Sequence, residues 1–205
     1  MNPLFTIGHS THEFPSFLGL LEQHRIEVVA DVRSRPSSRF PWFSRDTLEK
    51  GLNSNGFRYV FLGAELGARR LELECYIGPR ADYRLIAQTA AYKMGIERLR
   101  NGVSKYRIAL MCSEREPLDC HRTILVCRNA KEFADIYHIR SDASLESHAQ
   151  AEARLLSRYF SHGHDFFRCE DEMIDEAYIR RGEEINYIDE TQTSVTRKTP
   201  PNDEC

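Results

Sequence analysis

Short apolar runs alternate with segments of helical periodicity along most of this chain, and this alternation restricts the fold more than any other feature. The runs have the length of buried strands and lie at residues 4–7, 28–32, 59–61, 107–111 and 134–139. Between the first two runs, residues 13–24 carry apolar side chains at helical spacing. A strand–helix–strand unit of this length favours parallel pairing through a right-handed crossover. We therefore predict an α/β fold with three layers and a mostly parallel, Rossmann-like sheet of about five strands.

The alternation stops after Asp142, where the pattern becomes helical. Residues 145–159 and 170–181 are predicted to be helices that pack on the core. Within the core, one long helix is predicted over residues 83–100, and another is predicted to begin at Cys120 with Asp119 as its N-cap. We expect a single domain over residues 1–190, with a core at 1–142 and a C-terminal helical appendage at 143–190. Residues 191–205 are polar and are predicted to form a disordered tail.

The composition restricts the class of protein. A chain of 205 residues with 41% hydrophobic side chains suits one ordinary domain. No apolar run approaches the roughly 20 residues that a bilayer requires, and the amino end lacks the pattern of a signal peptide. The six cysteines are spread along the chain and do not resemble the dense framework of a small secreted module. We expect a cytoplasmic protein with reduced thiols and no membrane segment.

The charges are distributed unevenly. The formal net charge of −3 argues against nucleic-acid binding by bulk electrostatics. However, arginines are concentrated in residues 33–45 and 69–84, whereas residues 170–190 are rich in Asp and Glu. A local site for an anionic small molecule or a nucleic acid is therefore compatible with the sequence. The sequence identifies no cofactor and leaves the oligomeric state open.

Residues 110–122 contain several side chains that can take part in catalysis or binding, including two cysteines, a histidine and arginines. Ligands of open α/β sheets collect beyond the carboxyl ends of strands, which is where Cys112 is expected. A helix that begins at Cys120 would direct free N–H groups toward the same space and favour a thiolate. Cationic neighbours, here His121 and Arg122, strengthen that effect where they face the same pocket. The competing interpretation is structural, with Cys112 as a small core residue and Cys120 as the start of a helix.

A metal site is an alternative for the same segment. Cys112, Cys120, His121 and the distant His9 are conceivable ligands. Structural zinc sites usually show close pairs such as C-x2-C, and the spacing from Cys112 to Cys120 is not of this kind. We therefore assign no metal ligand from the sequence.

Three further loops are predicted to follow strands at the same edge of the sheet. The first strand ends at His9 and Ser10, and no G-x-G-x-x-G fingerprint supports dinucleotide binding. The second ends at Asp31 and leads into a loop in which arginines alternate with aromatics, as in sites that hold phosphate and stack on bases. The alternative for this loop is a solvated basic segment whose Phe40, Trp42 and Phe43 pack beneath it. The third is followed by Glu65 and Arg69, which are equally compatible with a surface ion pair.

These loops contain several separate motifs that occur in order over residues 4–148. They are Thr6-Ile7-Gly8-His9-Ser10, Asp31-Val32-Arg33-Ser34-Arg35-Pro36, Leu62-Gly63-Ala64-Glu65-Leu66-Gly67, Met111-Cys112-Ser113-Glu114, Cys120-His121-Arg122, and His138-Ile139 followed by His148. With these motifs the chain resembles the domain-of-unknown-function family 488. The resemblance implies a compact α/β domain with a shared polar pocket and implies no particular reaction. Ala68 and Ala143 stand where many relatives would carry glycine.

The leading hypothesis from the sequence is an enzyme that acts on a nucleotide or nucleic acid. The alternatives are a non-catalytic module that binds an anion or nucleic acid, and a metal or redox thiol protein. The candidate catalytic residues are Cys112, Glu114, Cys120, His121, Asp31 and His9. The candidate substrate-binding residues are Ser10, Arg33, Arg35, Arg39, Phe40, Glu65, Arg69 and Arg122.

Overall fold

The computed structural model describes residues 2–160 and 168–190. The strands are β1 (Leu4–Gly8), β2 (Val28–Asp31), β3 (Arg58–Phe61), β4 (Tyr76–Ile77), β5 (Arg80–Ala81), β6 (Ile108–Cys112), β7 (Ile136–Ile139) and β8 (Leu145–Ser147). Six of them form one sheet in the order β3-β2-β6-β1-β7-β8, and β4 and β5 form a separate hairpin. All neighbours in the large sheet are parallel except β7 and β8.

The helices cover both faces of this sheet. They are α1 (Phe14–Gln23), α2 (Arg45–Ser54), α3 (Gly63–Leu66), α4 (Tyr83–Gln88), α5 (Ala90–Val103), α6 (Arg128–Ala130), α7 (His148–Tyr159) and α8 (Glu170–Ile185), and a π-helix, Arg122–Cys127, leads into α6. On one face, α1 and α2 bury Phe17 and Leu48. On the other face, α5 and the π-helix bury Leu99 and Val126. The predicted three-layer α/β fold with C-terminal helices is confirmed.

Local details differ from the sequence predictions. The helix predicted over residues 83–100 is divided at Thr89, whose hydroxyl donates to the Ile86 carbonyl at 2.8 Å and accepts from the Tyr92 N–H at 3.2 Å. The segment Leu145–Ser147 was predicted to be helical and is instead a sixth strand, paired with β7. Ala143, in the turn before β8, has φ 67°, a conformation that favours glycine.

The predicted N-cap at Asp119 is wrong. The π-helix begins at Arg122, and its N-cap, His121, makes no side-chain capping bond. The Asp119 carboxylate instead pairs with Arg181 of α8. Asp119 therefore ties α8 to the segment that precedes the π-helix.

The C-terminal helices are joined to the sheet by an apolar cluster and by a polar row. The cluster includes Leu118, Leu155 and Ala177. The row is hydrogen-bonded in the order Tyr178, His148, His138 and Thr6, with distances of 3.0, 3.1 and 2.8 Å. Residues 191–205, predicted to form a tail, lie outside the described residues. Among the helices of residues 2–160 and 168–190, none has the length and apolar character needed to cross a membrane.

We expect Gly8→Ala to destabilise the fold. A Cβ atom at this position would lie 1.9 Å from the carbonyl oxygen of Glu114, which is backbone and cannot move aside easily. The free energy of unfolding should fall by about 2 kcal/mol or more. Gly19 is the matched control, because a Cβ on this exposed helical position meets nothing within 4 Å. Gly19→Ala should cost nothing and can add up to about 1 kcal/mol. Equal losses in urea unfolding of the two variants would contradict this interpretation.

We expect acid to destabilise the fold in part through His148. Burial lowers the pKa of His148 from 6.5 to about 4, so the unfolded chain binds the proton more tightly. Stability from this group is complete above pH 6.5 and decreases as the pH falls toward 4, by roughly 3 kcal/mol. Urea unfolding across this range should therefore show a smaller pH dependence for His148→Gln than for the wild type. An unchanged pH dependence in the variant would exclude His148 as a contributor.

Candidate active site

A cleft of about 660 Å³ opens at the carboxyl edge of the parallel strands. The loops after β2, α3 and β6 meet there, together with the segment that follows α8. The cleft is lined by Arg33, Arg35, Arg69, Cys112, Glu114, Cys120 and His121, among other residues. The structure therefore places thiols, an imidazole and guanidinium groups around one open space.

The floor of the cleft is formed by four side chains that contact one another. One carboxylate oxygen of Glu114 lies 2.9 Å from the sulfur of Cys112 and 3.0 Å from that of Cys120. The Nδ1 atom of His121 lies 3.7 Å from the Cys112 sulfur and 4.0 Å from the Cys120 sulfur. Its Nε2 atom lies 3.0 Å from the carbonyl oxygen of Val32. We call this group, Cys112, Glu114, Cys120 and His121, the floor cluster.

The floor cluster exists because the loop after β6 folds back over the end of β1. Because Gly8 has no Cβ, the carbonyl group of Glu114 can lie close to it, in space that a Cβ atom would occupy. The fully buried Arg122 donates to the carbonyl oxygens of Glu114 at 2.6 Å and Arg115 at 3.3 Å. A short 3-10 helix, Pro117–Asp119, then returns the chain to Cys120. These contacts bring the two cysteines together despite their separation in sequence.

The pKa values of the two thiols of the floor cluster are shifted in opposite directions. Burial raises the pKa of Cys112 well above its ordinary value, and the adjacent Cys120 raises it further. Burial also acts to raise the pKa of Cys120, but the contact with Cys112 and the charge of Arg122 outweigh it. The pKa of Cys120 is therefore well below its ordinary value. Cys120 is the thiol of this pair that ionises first.

The charge of Cys120 also raises the pKa values of His121 and Glu114, the other two members of the cluster. Burial acts to lower the pKa of His121, but the hydrogen bond and charge of Cys120 raise it above its ordinary value. Desolvation of the carboxyl group raises the pKa of Glu114, and the charge of Cys120 adds to the effect. The cluster therefore holds a thiolate beside groups that can carry a proton.

Asp31 and His9 lie behind the floor and not on the surface of the cleft. Asp31 is fully buried and accepts from Arg33 at 2.7 and 2.9 Å and from the Tyr59 hydroxyl at 2.9 Å. The Arg33 guanidinium also lies 3.2 Å from Nε2 of His9 and donates to the Phe43 carbonyl at 2.9 Å. Burial, with the nearby charge of Arg33, lowers the pKa of His9 to about 4. Asp31 and His9 thus hold Arg33 in place, and Arg33 lines the cleft.

The candidate substrate-binding residues are divided between the cleft and its surroundings. Arg33, Arg35 and Arg69 line the cleft. Ser10, Arg39, Phe40, Glu65 and Arg122 are not among its lining residues. Ser10 has φ 45°, and its N–H donates to the Ser113 carbonyl at 2.9 Å, which joins two of the loops.

The remaining residues outside the cleft have partners of their own. Arg39 lies 5.0 Å from the ring centroid of Phe40, and that ring stacks on Trp42 at 5.6 Å. Glu65 forms an ion pair with Arg98 of α5. The surface ion pair that the sequence left as an alternative for Glu65 is therefore present, but with Arg98 and not with Arg69.

One wall of the cleft was not anticipated from the sequence. Tyr83 and residues 185–188 line it, and Arg69 lies 4.9 Å from the ring centroid of Tyr187. Tyr83 is the first residue of α4, and residues 185–188 lie at the end of α8 and just after it. No local motif distinguishes residues 185–188, since their position depends on how α8 docks on the core.

The chain was compared with known protein families, curated proteins and solved structures. A family model described as "Domain of unknown function DUF488" matches residues 13–128, which is more than half of the chain. No curated protein and no solved structure matches the chain. The family resemblance that the sequence motifs indicated is confirmed by this match.

We expect Asp31→Asn to destabilise the protein strongly, because it leaves the buried Arg33 guanidinium without its carboxylate. The loss of unfolding free energy should be about 3–5 kcal/mol. Glu65→Gln breaks a pair whose arginine is half exposed and should cost less than about 1 kcal/mol. Chemical denaturation of both variants measures the difference. Comparable losses of unfolding free energy in the two variants would show that the buried ion pair stabilises the fold no more than the pair of Glu65 and Arg98.

Proposed function

The chain belongs to the DUF488 family, and we propose that it is an enzyme that acts on a nucleotide or nucleic acid in the cleft at the carboxyl edge of the sheet. The observation that carries this proposal is that two exposed arginines, Arg35 and Arg69, line the same cleft as the floor cluster. Arginines of this kind bind phosphate, and the floor cluster contains groups that perform chemistry. The family description names no reaction, so the proposal rests on the geometry of the cleft.

The phosphate-binding part of the proposal rests on Arg35 and Arg69. Both side chains are exposed, both line the cleft, and neither forms an ion pair with a carboxylate of the described residues. Arg33, by contrast, is neutralised by Asp31. Arg35 and Arg69 therefore carry positive charge that is available to an anion in the cleft. Guanidinium groups match the geometry of phosphate oxygens and bind them by paired hydrogen bonds.

A base-binding surface is supplied by aromatic side chains of the same cleft. Tyr83 and Tyr187 line it, and both are partly exposed. Rings of this type stack on nucleobases with little dependence on sequence. These tyrosines take the role that the sequence suggested for Phe40.

The chemical step is assigned to the floor cluster. The imidazole of His121 and the carboxyl group of Glu114 are proton-transfer groups, and Cys112 and Cys120 supply sulfur as a nucleophile or as a metal ligand. All four line the same cleft as Arg35 and Arg69, so a substrate held by these arginines would lie beside them. The free thiols among the described residues suit a reducing compartment such as the cytoplasm.

The proposal predicts that Arg35→Gln and Arg69→Gln each weaken binding of a phosphate-bearing ligand about tenfold. Fluorescence anisotropy with a labelled single-stranded oligonucleotide and with a labelled nucleoside triphosphate measures this. Each variant should also show a smaller salt dependence of binding than the wild type, because one phosphate contact is lost.

Arg39→Gln is the matched control, since Arg39 is exposed in the same loop but does not line the cleft. It should bind the probes as the wild type does. If the wild type binds neither probe, the nucleotide and nucleic-acid proposal fails. If Arg39→Gln loses as much affinity as the cleft variants, the ligand binds elsewhere on the basic surface.

A further inference from the structure

We propose that Cys112, Cys120 and His121 form a binding site for a zinc ion, with Glu114 beside the open fourth coordination position. The inference deepens the proposed function, on which its catalytic part rests, because it assigns the chemistry of the floor cluster to a metal-activated water. Ion binding itself does not depend on the identity of the substrate.

The three ligand atoms are already close to a zinc-binding arrangement. The two sulfurs and Nδ1 of His121 all lie within 4.8 Å of one another. The distances from Nδ1 to the sulfurs are 3.7 and 4.0 Å. A tetrahedral ion with Zn–S near 2.3 Å and Zn–N near 2.0 Å separates sulfur from nitrogen by about 3.5 Å. Small side-chain rotations therefore suffice to enclose an ion, and residues 2–160 and 168–190 contain no other such group.

The hydrogen bond on the far side of His121 orients the imidazole for coordination. Its Nε2 atom lies 3.0 Å from the Val32 carbonyl oxygen, which can only accept, so Nε2 carries the proton. Nδ1 is then left with a lone pair directed toward the two sulfurs when the ring is neutral. Metal-bound histidines are typically held in this manner, by a backbone carbonyl or a carboxylate on the second nitrogen.

The fourth position of the ion faces the cleft. Cys112, Cys120 and His121 all line the cleft, so an ion bound by them is accessible to a substrate. Three protein ligands with one open position are typical of catalytic zinc, whereas structural zinc has four protein ligands. Glu114 has an oxygen 2.9 and 3.0 Å from the two sulfurs and therefore lies beside the proposed ion.

This arrangement supports hydrolysis of the bound substrate. A water molecule in the open position would give a proton to the Glu114 carboxylate and attack an electrophilic carbon or phosphorus atom. The bond from that atom to its leaving group then breaks, and the leaving group takes the proton from Glu114. The step consumes one water molecule and needs no oxidant or reductant.

The spacing of the ligands explains why no sequence motif indicates a metal site. Cys112 and Cys120 are not a close pair, and only the return of the loop over Gly8 and Arg122 brings them together. The structure leaves His9, the other conceivable ligand, outside the group, because its Nε2 atom contacts Arg33 at 3.2 Å.

Metal analysis of the full chain, purified without an affinity tag or chelator, tests the proposal. We expect about one zinc ion per chain, or uptake of one when the reduced, metal-free protein is titrated with zinc. Cys112→Ser, Cys120→Ser and His121→Gln should each reduce zinc affinity at least tenfold. Cys169→Ser, which removes an exposed free thiol, should not change it. Circular dichroism identifies any variant that does not fold.

The wild type alone can overturn the proposal. A reduced, folded wild-type protein that takes up no zinc excludes the site, and so does isolation of a Cys112–Cys120 disulfide under anaerobic conditions. Cobalt substitution adds a spectroscopic check, because thiolate ligands give a charge-transfer band that Cys120→Ser should weaken and Cys169→Ser should retain.

Glu114→Gln tests whether Glu114 coordinates the ion or acts only as a base beside it. This variant should still bind one zinc ion per chain, with a smaller loss of affinity than Cys120→Ser, because only a neighbouring charge is removed. Loss of zinc equal to that in Cys120→Ser would show that Glu114 completes the coordination and that no open position exists. Zinc binding without affinity for the nucleotide probes would retain the metal site and exclude the proposed substrate, whereas nucleotide binding by a protein that takes up no zinc would exclude the metal site alone.

Discussion

The burial of Arg122 is the interaction on which the site depends. Its guanidinium is fully buried and is held by backbone carbonyl groups, and it makes no ion pair with the described carboxylates. A buried cation without a contacting anion is costly unless negative charge lies close by. Burial acts to lower the pKa of Arg122, but the charges of Cys120, Cys112 and Glu114 in the floor cluster raise it above its ordinary value. The same side chain thus holds the loop in place and favours the thiolate form of Cys120.

Much of the fold could be predicted because its determinants are local. The buried strands and the amphipathic helix α1 follow from the spacing of apolar residues, and parallel pairing follows from the length of the connections. The break at Thr89 was missed because apolar periodicity continues through it, although a hydroxyl cap separates two helices there. Strand β8 was missed because three residues are too few to show alternation, and pairing with β7 alone determines its structure.

The site was predictable in outline and not in detail. The rule that ligands collect at the carboxyl ends of parallel strands brings Cys112, Cys120 and Arg33 to one edge, and all three line the cleft. It could not distinguish Arg35, which lines the cleft, from Arg39, which lies over Phe40, since both belong to one basic loop. The wall formed by residues 185–188 depends on the docking of α8 through contacts such as Asp119 with Arg181. No pattern within the helix itself indicates that contact.

The polar row between α8 and the sheet has a fixed direction. It runs in the order Tyr178, His148, His138, Thr6 and Arg122. The tyrosine hydroxyl donates to Glu152, so it accepts from one nitrogen of His148, and the other nitrogen of that ring then accepts from His138. At the far end the arginine can only donate to Thr6, whose hydroxyl then donates to His138. Both ends impose the same order of donors, so each ring has one tautomer and the row behaves as a string of aligned dipoles with its polarity set by the fold.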